Sequence, residues 1–233
     1  MSERNNYKIC AVAAIAGALT LFVGTVLHPS NADPNDLLAA FTEYAANRSW
    51  VASHLMQLVG IILIVVALVL LSRLMSNGGG ASWAYLGIVG AGASLAVAAA
   101  LQAVDGIALK AMVNSWAAAS ATEKEMLFLA TFTVRQIEIG LASILGLLMG
   151  ITVAIYGAAL VSDRSFPKWL GWLAILGGIP IAVAGIVTAY TGFSDLAMTI
   201  NLSASSFLLV WLIVVGGWMW RLAATKGSEA TAA

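Results

Sequence analysis

Six apolar runs of about twenty residues constrain this chain more than any motif in it: 9–27, 50–72, 83–104, 139–161, 169–190 and 197–220. An α-helix rises 1.5 Å per residue, so about 20 apolar residues cross a hydrocarbon core roughly 30 Å thick. Only 9% of the 233 residues are charged, where a soluble domain carries about 25%. The expected fold is therefore all-α: a single integral membrane domain over residues 1–233, with six transmembrane helices and two short outer amphipathic helices. Membrane lipid is its first partner. A formal net charge of zero suggests no nucleic-acid partner. One cysteine, Cys10, excludes an internal disulfide. The start "MSERNNYK" resembles the opening of a secretory signal, but the run that follows, Ile9–Leu27, exceeds a signal core of about 7–15 residues. The reading is a retained first span.

Orientation follows from the distribution of basic residues. With the N-terminus in the cytoplasm, the inner side holds Arg4, Lys8, Arg73, Arg164, Lys168, Arg221 and Lys226. The outer side holds Arg48, Lys110, Lys124 and Arg135. That bias predicts cytoplasmic termini. The elaboration is then on the outer face. In 31–50, Asp33 reads as an N-cap with Pro34 at the first helical position, and Leu37, Phe41 and Tyr44 share one face. The segment "DGIALKAMVNSWAAAS" (105–120) places Leu109, Met112 and Trp116 likewise.

Within a long apolar stretch, "TVRQIEIG" (133–140) introduces Arg135, Gln136 and Glu138. Thr122 and Glu125 read as a capping box, so this helix is expected to run from about Glu123 to Val161. At 1.5 Å per residue that is about 58 Å, nearly twice the hydrocarbon thickness, which puts Arg135 and Glu138 near the outer interface. His28, His54, Gln57, Gln102, Asp105, Asp195, Asn201, Ser203, Ser205 and Ser206 fall at a similar level. The pairs 54/57, 102/105 and 135/138 each share a helix face. Two readings stand: the ordinary polarity of helix ends, or a polar vestibule lined by His54, Gln57, Gln102, Asp105, Arg135 and Glu138.

His28 and His54 are acceptable metal ligands by type, with Asp105 and Glu138 as companions, although no local His-x-x-x-His or Cys-x-x-Cys spacing is present. Pro29 beside His28 argues against bis-histidine haem, and no cofactor is assigned. There is no glycine-rich phosphate loop: Gly78–Gly80 has no adjacent lysine and reads as a connector. Gly146 and Gly150 form a small-xxx-small pattern for close helix packing. A shift of 90 residues aligns 58–73 with 148–163 and Asp105 with Asp195, a parallel internal repeat.

The stretch "YGAALVSDRSFPKWLGWLAILGGI" (156–179), in which Pro167, Trp169, Leu170 and Gly171 open a span, resembles an uncharacterised family of bacterial multi-pass membrane proteins. The resemblance implies an inner-membrane protein of unknown function and supplies no catalytic residues. The leading expectation is an outer-leaflet vestibule binding a small or lipophilic ligand, including a metal. The alternative is an accessory subunit whose outer amphipathic helices dock a membrane-protein partner through Phe41 and Tyr44. Transport lacks polar residues in the inner halves of the spans, and catalysis has the least support.

Overall fold

The computed structural model describes residues 3–75 and 78–232, with side chains as far as Lys226; Met1 and Ser2 of the polar start lie outside the described residues. Among those residues the secondary structure is helical throughout, without strands. The elements are α1 (Glu3–Val26), α2 (Leu37–Ala46), α3 (Trp50–Leu74), α4 (Ala81–Leu101), a π-helical segment (Gln102–Leu109), α5 (Lys110–Ala118), α6 (Lys124–Ser162), α7 (Lys168–Thr191) and α8 (Asp195–Ala232). Six stretches are long and apolar enough to cross a membrane. The chain is thus a multi-pass helix bundle, with both ends on the same side of it.

Each span packs against the next one in the chain, and α8 closes the ring against α1. Glycine makes the tightest of these contacts possible. A Cβ on Gly60 of α3 would stand 2.6 Å from Leu21 N of α1, and one on Gly150 of α6 would stand 2.6 Å from Gly178 O of α7. In lipid, where water no longer drives apolar surfaces together, such backbone approaches supply the dispersion contacts that hold helices side by side. Toward the end carrying the termini, Tyr156 OH and Ser72 Oγ lie 2.8 Å apart, and Ser72 also donates to Ala84 O at 3.1 Å, tying α6, α3 and α4 together.

Three local expectations are corrected. Helix α2 is capped by Asp36, which accepts from Ala39 N at 3.1 Å, and not by Asp33. Asp33 instead accepts from Asn35 N at 2.8 Å, closing the turn that precedes the helix. The capping box at Thr122 does not form either: Glu123 is the N-cap residue of α6 and its carboxylate accepts from Ser120 Oγ. Finally, residues 105–120 are not a detached surface helix, because α4 continues through the π-helical segment into α5 as one stretch, Ala81–Ala118.

Phe41, Tyr44, Trp50, Leu109, Val113 and Trp116 form a second apolar cluster between α2, α3, α5 and the outer part of α6. Phe41 is fully buried and Tyr44 is 5% exposed, so these residues roof the bundle and offer no apolar face to a partner. Lys110 fastens the roof: its ammonium donates to the carbonyls of Tyr44, Ala45 and Asn47 at 2.6, 2.8 and 2.8 Å. Those carbonyls end α2 and have no intrahelical partner, so a cation there satisfies them directly.

Candidate functional site

Beneath this roof, at the end of the bundle away from the termini, four stretches of chain converge. Helix α1 ends at Val26 and the chain turns through His28 N–H to Thr25 O at 3.2 Å, with Pro29 preventing continuation. His54 sits in the second turn of α3, Asp105 lies in the π-helical segment, and Arg135 and Glu138 lie on α6. A π-helical stretch carries an extra residue per turn and re-aims the side chains that follow, which is why such stretches recur at functional sites. Here Gly106 brings the segment against His54, where a Cβ would stand 2.6 Å from that of the histidine. The indole of Trp50 donates to Asp105 O at 2.9 Å and holds the segment to α3.

The two histidines are prepared alike. His54 Nδ1 lies 2.7 Å from Trp50 O, and His28 Nδ1 lies 2.8 Å from Pro29 O. A carbonyl oxygen can only accept, so each Nδ1 carries a hydrogen, and whenever a ring is neutral its lone pair is at Nε2. Backbone carbonyls fix metal-ligating histidines in this way. The rings lie 5.0 Å apart, and one ligand atom from each of His28, His54 and Asp105 falls within 4.8 Å of the others. Around an ion with bonds of about 2.1 Å, ligand atoms stand roughly 3–4 Å apart, so small side-chain adjustments close the set. Burial pushes the pKa of His28, which lies beyond α1, below its ordinary value, while the charge of Asp105 pulls the other way.

His54 Nε2 lies 2.9 Å from Asp105 Oδ2, an ion-pair distance, though off the line of a hydrogen bond. The contact is attractive with a proton on Nε2 or with a metal ion between the two atoms. Asp105 Oδ1 and Gln102 Oε1 are also buried acceptors without a donor. Nearby, Arg135 Nη1 donates to both oxygens of Glu138 at 2.6 and 2.7 Å, and its guanidinium stacks over the rings of Tyr44 and Phe193. The arrangement thus sets the carboxylates of Asp105 and Glu138 beside the Arg135 guanidinium and the two imidazoles.

Of the residues expected to line a vestibule, the structure brings His54, Asp105, Arg135 and Glu138 into one neighbourhood, with His28 added. Gln57 and Gln102 lie next to it, joined by a bond of 3.2 Å from Gln102 Nε2 to Gln57 Oε1. Arg135 and Glu138 are 4% and 3% exposed, so they are not a solvated interfacial pair. Asp195, Asn201, Ser203 and Ser206 are exposed on α8 and take no part, and Ser205 bonds only to Asn201. A groove of about 440 Å³ runs outside the roof along Thr42, Trp116 and Lys124, and a smaller one of about 60 Å³ lies between α6, α7 and α8. Sequence reasoning missed the tautomer-fixing carbonyls and the aromatic cover from Trp50 and from Tyr44, which had read as part of the apolar face of an outer helix.

A family model described as a domain of unknown function, DUF4386, matches residues 9–216. No curated protein and no solved structure matches the chain.

Proposed function

The chain belongs to the DUF4386 family, whose description assigns no activity, and from the geometry we propose that it binds a divalent transition-metal ion through His28, His54 and Asp105. The observation that carries this reading is the cluster itself: one ligand atom from each of His28, His54 and Asp105 lies within 4.8 Å of the others, with His54 Nε2 2.9 Å from Asp105 Oδ2. Two imidazoles and a carboxylate suit zinc and its neighbours in the first transition row, whereas the absence of sulfur from the set disfavours copper(I). The carboxylate of Asp105 and the low-dielectric cover of the neighbourhood favour a cation further. The positive-inside bias supports cytoplasmic termini and a site on the outer side of a bacterial inner membrane. A lipophilic ligand has less support, because the grooves lie apart from these residues. Docking of a partner through Phe41 and Tyr44 has less still, since both are buried in the roof.

Elemental analysis tests the proposal. Protein extracted in mild detergent and exposed to one equivalent of zinc should retain it through gel filtration. His54→Ala and Asp105→Ala should lose it, and Ser203→Ala should not. Equal retention by all four proteins would refute the reading.

A further inference from the structure

Three protein ligands leave a position open on a four-coordinate ion, and the residues around that position decide what fills it. Once an ion takes the lone pairs of His28, His54 and Asp105 Oδ2, two buried acceptors still lack donors: Asp105 Oδ1 and Gln102 Oε1. Gln102 lies one turn before Asp105 and is 6% exposed, so bulk water does not serve it. Its amide nitrogen is already committed to Gln57 Oε1 at 3.2 Å. Leaving such acceptors bare is costly, and a small molecule bearing O–H or N–H hydrogens relieves both.

Building on the proposed metal site, we infer that the ion keeps one exchangeable position, filled by a neutral hydrogen-bond donor such as water, and that Gln102 selects this class of ligand over small anions. An azide or halide on the ion would turn its own lone pairs toward Asp105 Oδ1 and Gln102 Oε1, which is repulsive. Water, ammonia or a primary alcohol turns hydrogens toward them. The site is thereby of the open kind, able to exchange a ligand, and not a closed structural clamp.

The full-length protein loaded with copper(II) as a paramagnetic probe tests this directly. In D2O, pulsed electron paramagnetic resonance should show exchangeable deuterons of a ligated water. Azide, followed by its charge-transfer absorption, should bind at least tenfold more tightly to Gln102→Leu than to the wild type. Gln102→Glu, which adds a negative charge, should bind azide at least tenfold more weakly than the wild type and serves if the leucine variant does not fold. Absence of the deuteron signal, or equal azide affinity across these proteins, overturns the inference while stoichiometric copper leaves the metal site standing. Copper bound equally by His54→Ala overturns both.

Discussion

Removing one partner of the Arg135–Glu138 pair should be far more damaging than removing both. The two charges meet at 2.6 and 2.7 Å and their side chains are 5% and 3% exposed. At an effective dielectric near 20 and a separation of about 3–4 Å, the attraction is about 4–5.5 kcal/mol, offset by the cost of desolvating both ions. Arg135→Met leaves Glu138 in the interior with neither oxygen paired and should cost about 3–5 kcal/mol. Glu138→Gln should cost less, because the rings of Tyr44 and Phe193 still face the guanidinium and retain about 0.5–2 kcal/mol of attraction. The double variant should recover much of the loss, giving a coupling of about 2–4 kcal/mol. A double-mutant cycle of reversible unfolding in mixed detergent micelles measures these terms. A cost below about 1 kcal/mol for Arg135→Met, typical of a solvated surface pair, would refute the burial on which the reasoning rests.

Other outcomes follow from the same contacts. Gly150→Leu drives a side chain into the backbone of α7 at Gly178 and Ala182 and should lower stability by about 2–3 kcal/mol or abolish folding, read by thermal unfolding in detergent. Phe41→Ala should cost about 3–5 kcal/mol because the ring is wholly enclosed by the roof; unchanged stability would indicate a free docking residue instead. Burial works to raise the pKa of Glu43, but hydrogen bonds from Ala32 N and from the backbone and side chain of Asn31 outweigh it and hold the carboxylate below its ordinary value of 4.5. A depressed carboxylate stabilises the fold fully above its unfolded pKa and ceases to do so as pH falls through the lower folded value. Amide protection factors at Asn31 and Ala32, taken relative to the intrinsic exchange rate, should therefore fall below pH 4.5, and Glu43→Gln should remove that dependence.

The spans were legible because burial in lipid imposes a length and a composition that the chain states openly. Helix α6 was read from Glu123 to Val161 and spans Lys124–Ser162. Gly146 and Gly150 were read as packing residues, and they meet Gly185 and Gly178 of α7. Spacing also showed which polar residues share a face, since that depends only on helical period. It could not show the register between helices, which decides that His54 meets Asp105 while Asn201 and Ser203 turn outward. The π-helical turn at Gln102–Leu109 was hidden for a related reason: it is stabilised by contacts from α3, the Trp50 indole and the close approach of His54 to Gly106. Asp36 displaced Asp33 as the cap of α2 because Asp33 was consumed by the turn before it. The local signal singled out Asp33, because Pro34 follows it, and passed over Asp36.

The most direct test is zinc K-edge X-ray absorption on the protein carrying one equivalent of the metal. The predicted spectrum has nitrogen and oxygen neighbours at about 2.0–2.2 Å, the outer-shell scattering of two imidazoles, and no sulfur. His28→Ala should reduce that scattering to one imidazole. An ion surrounded only by water oxygens, or a spectrum unaltered by the loss of His28, would contradict the assignment of this site.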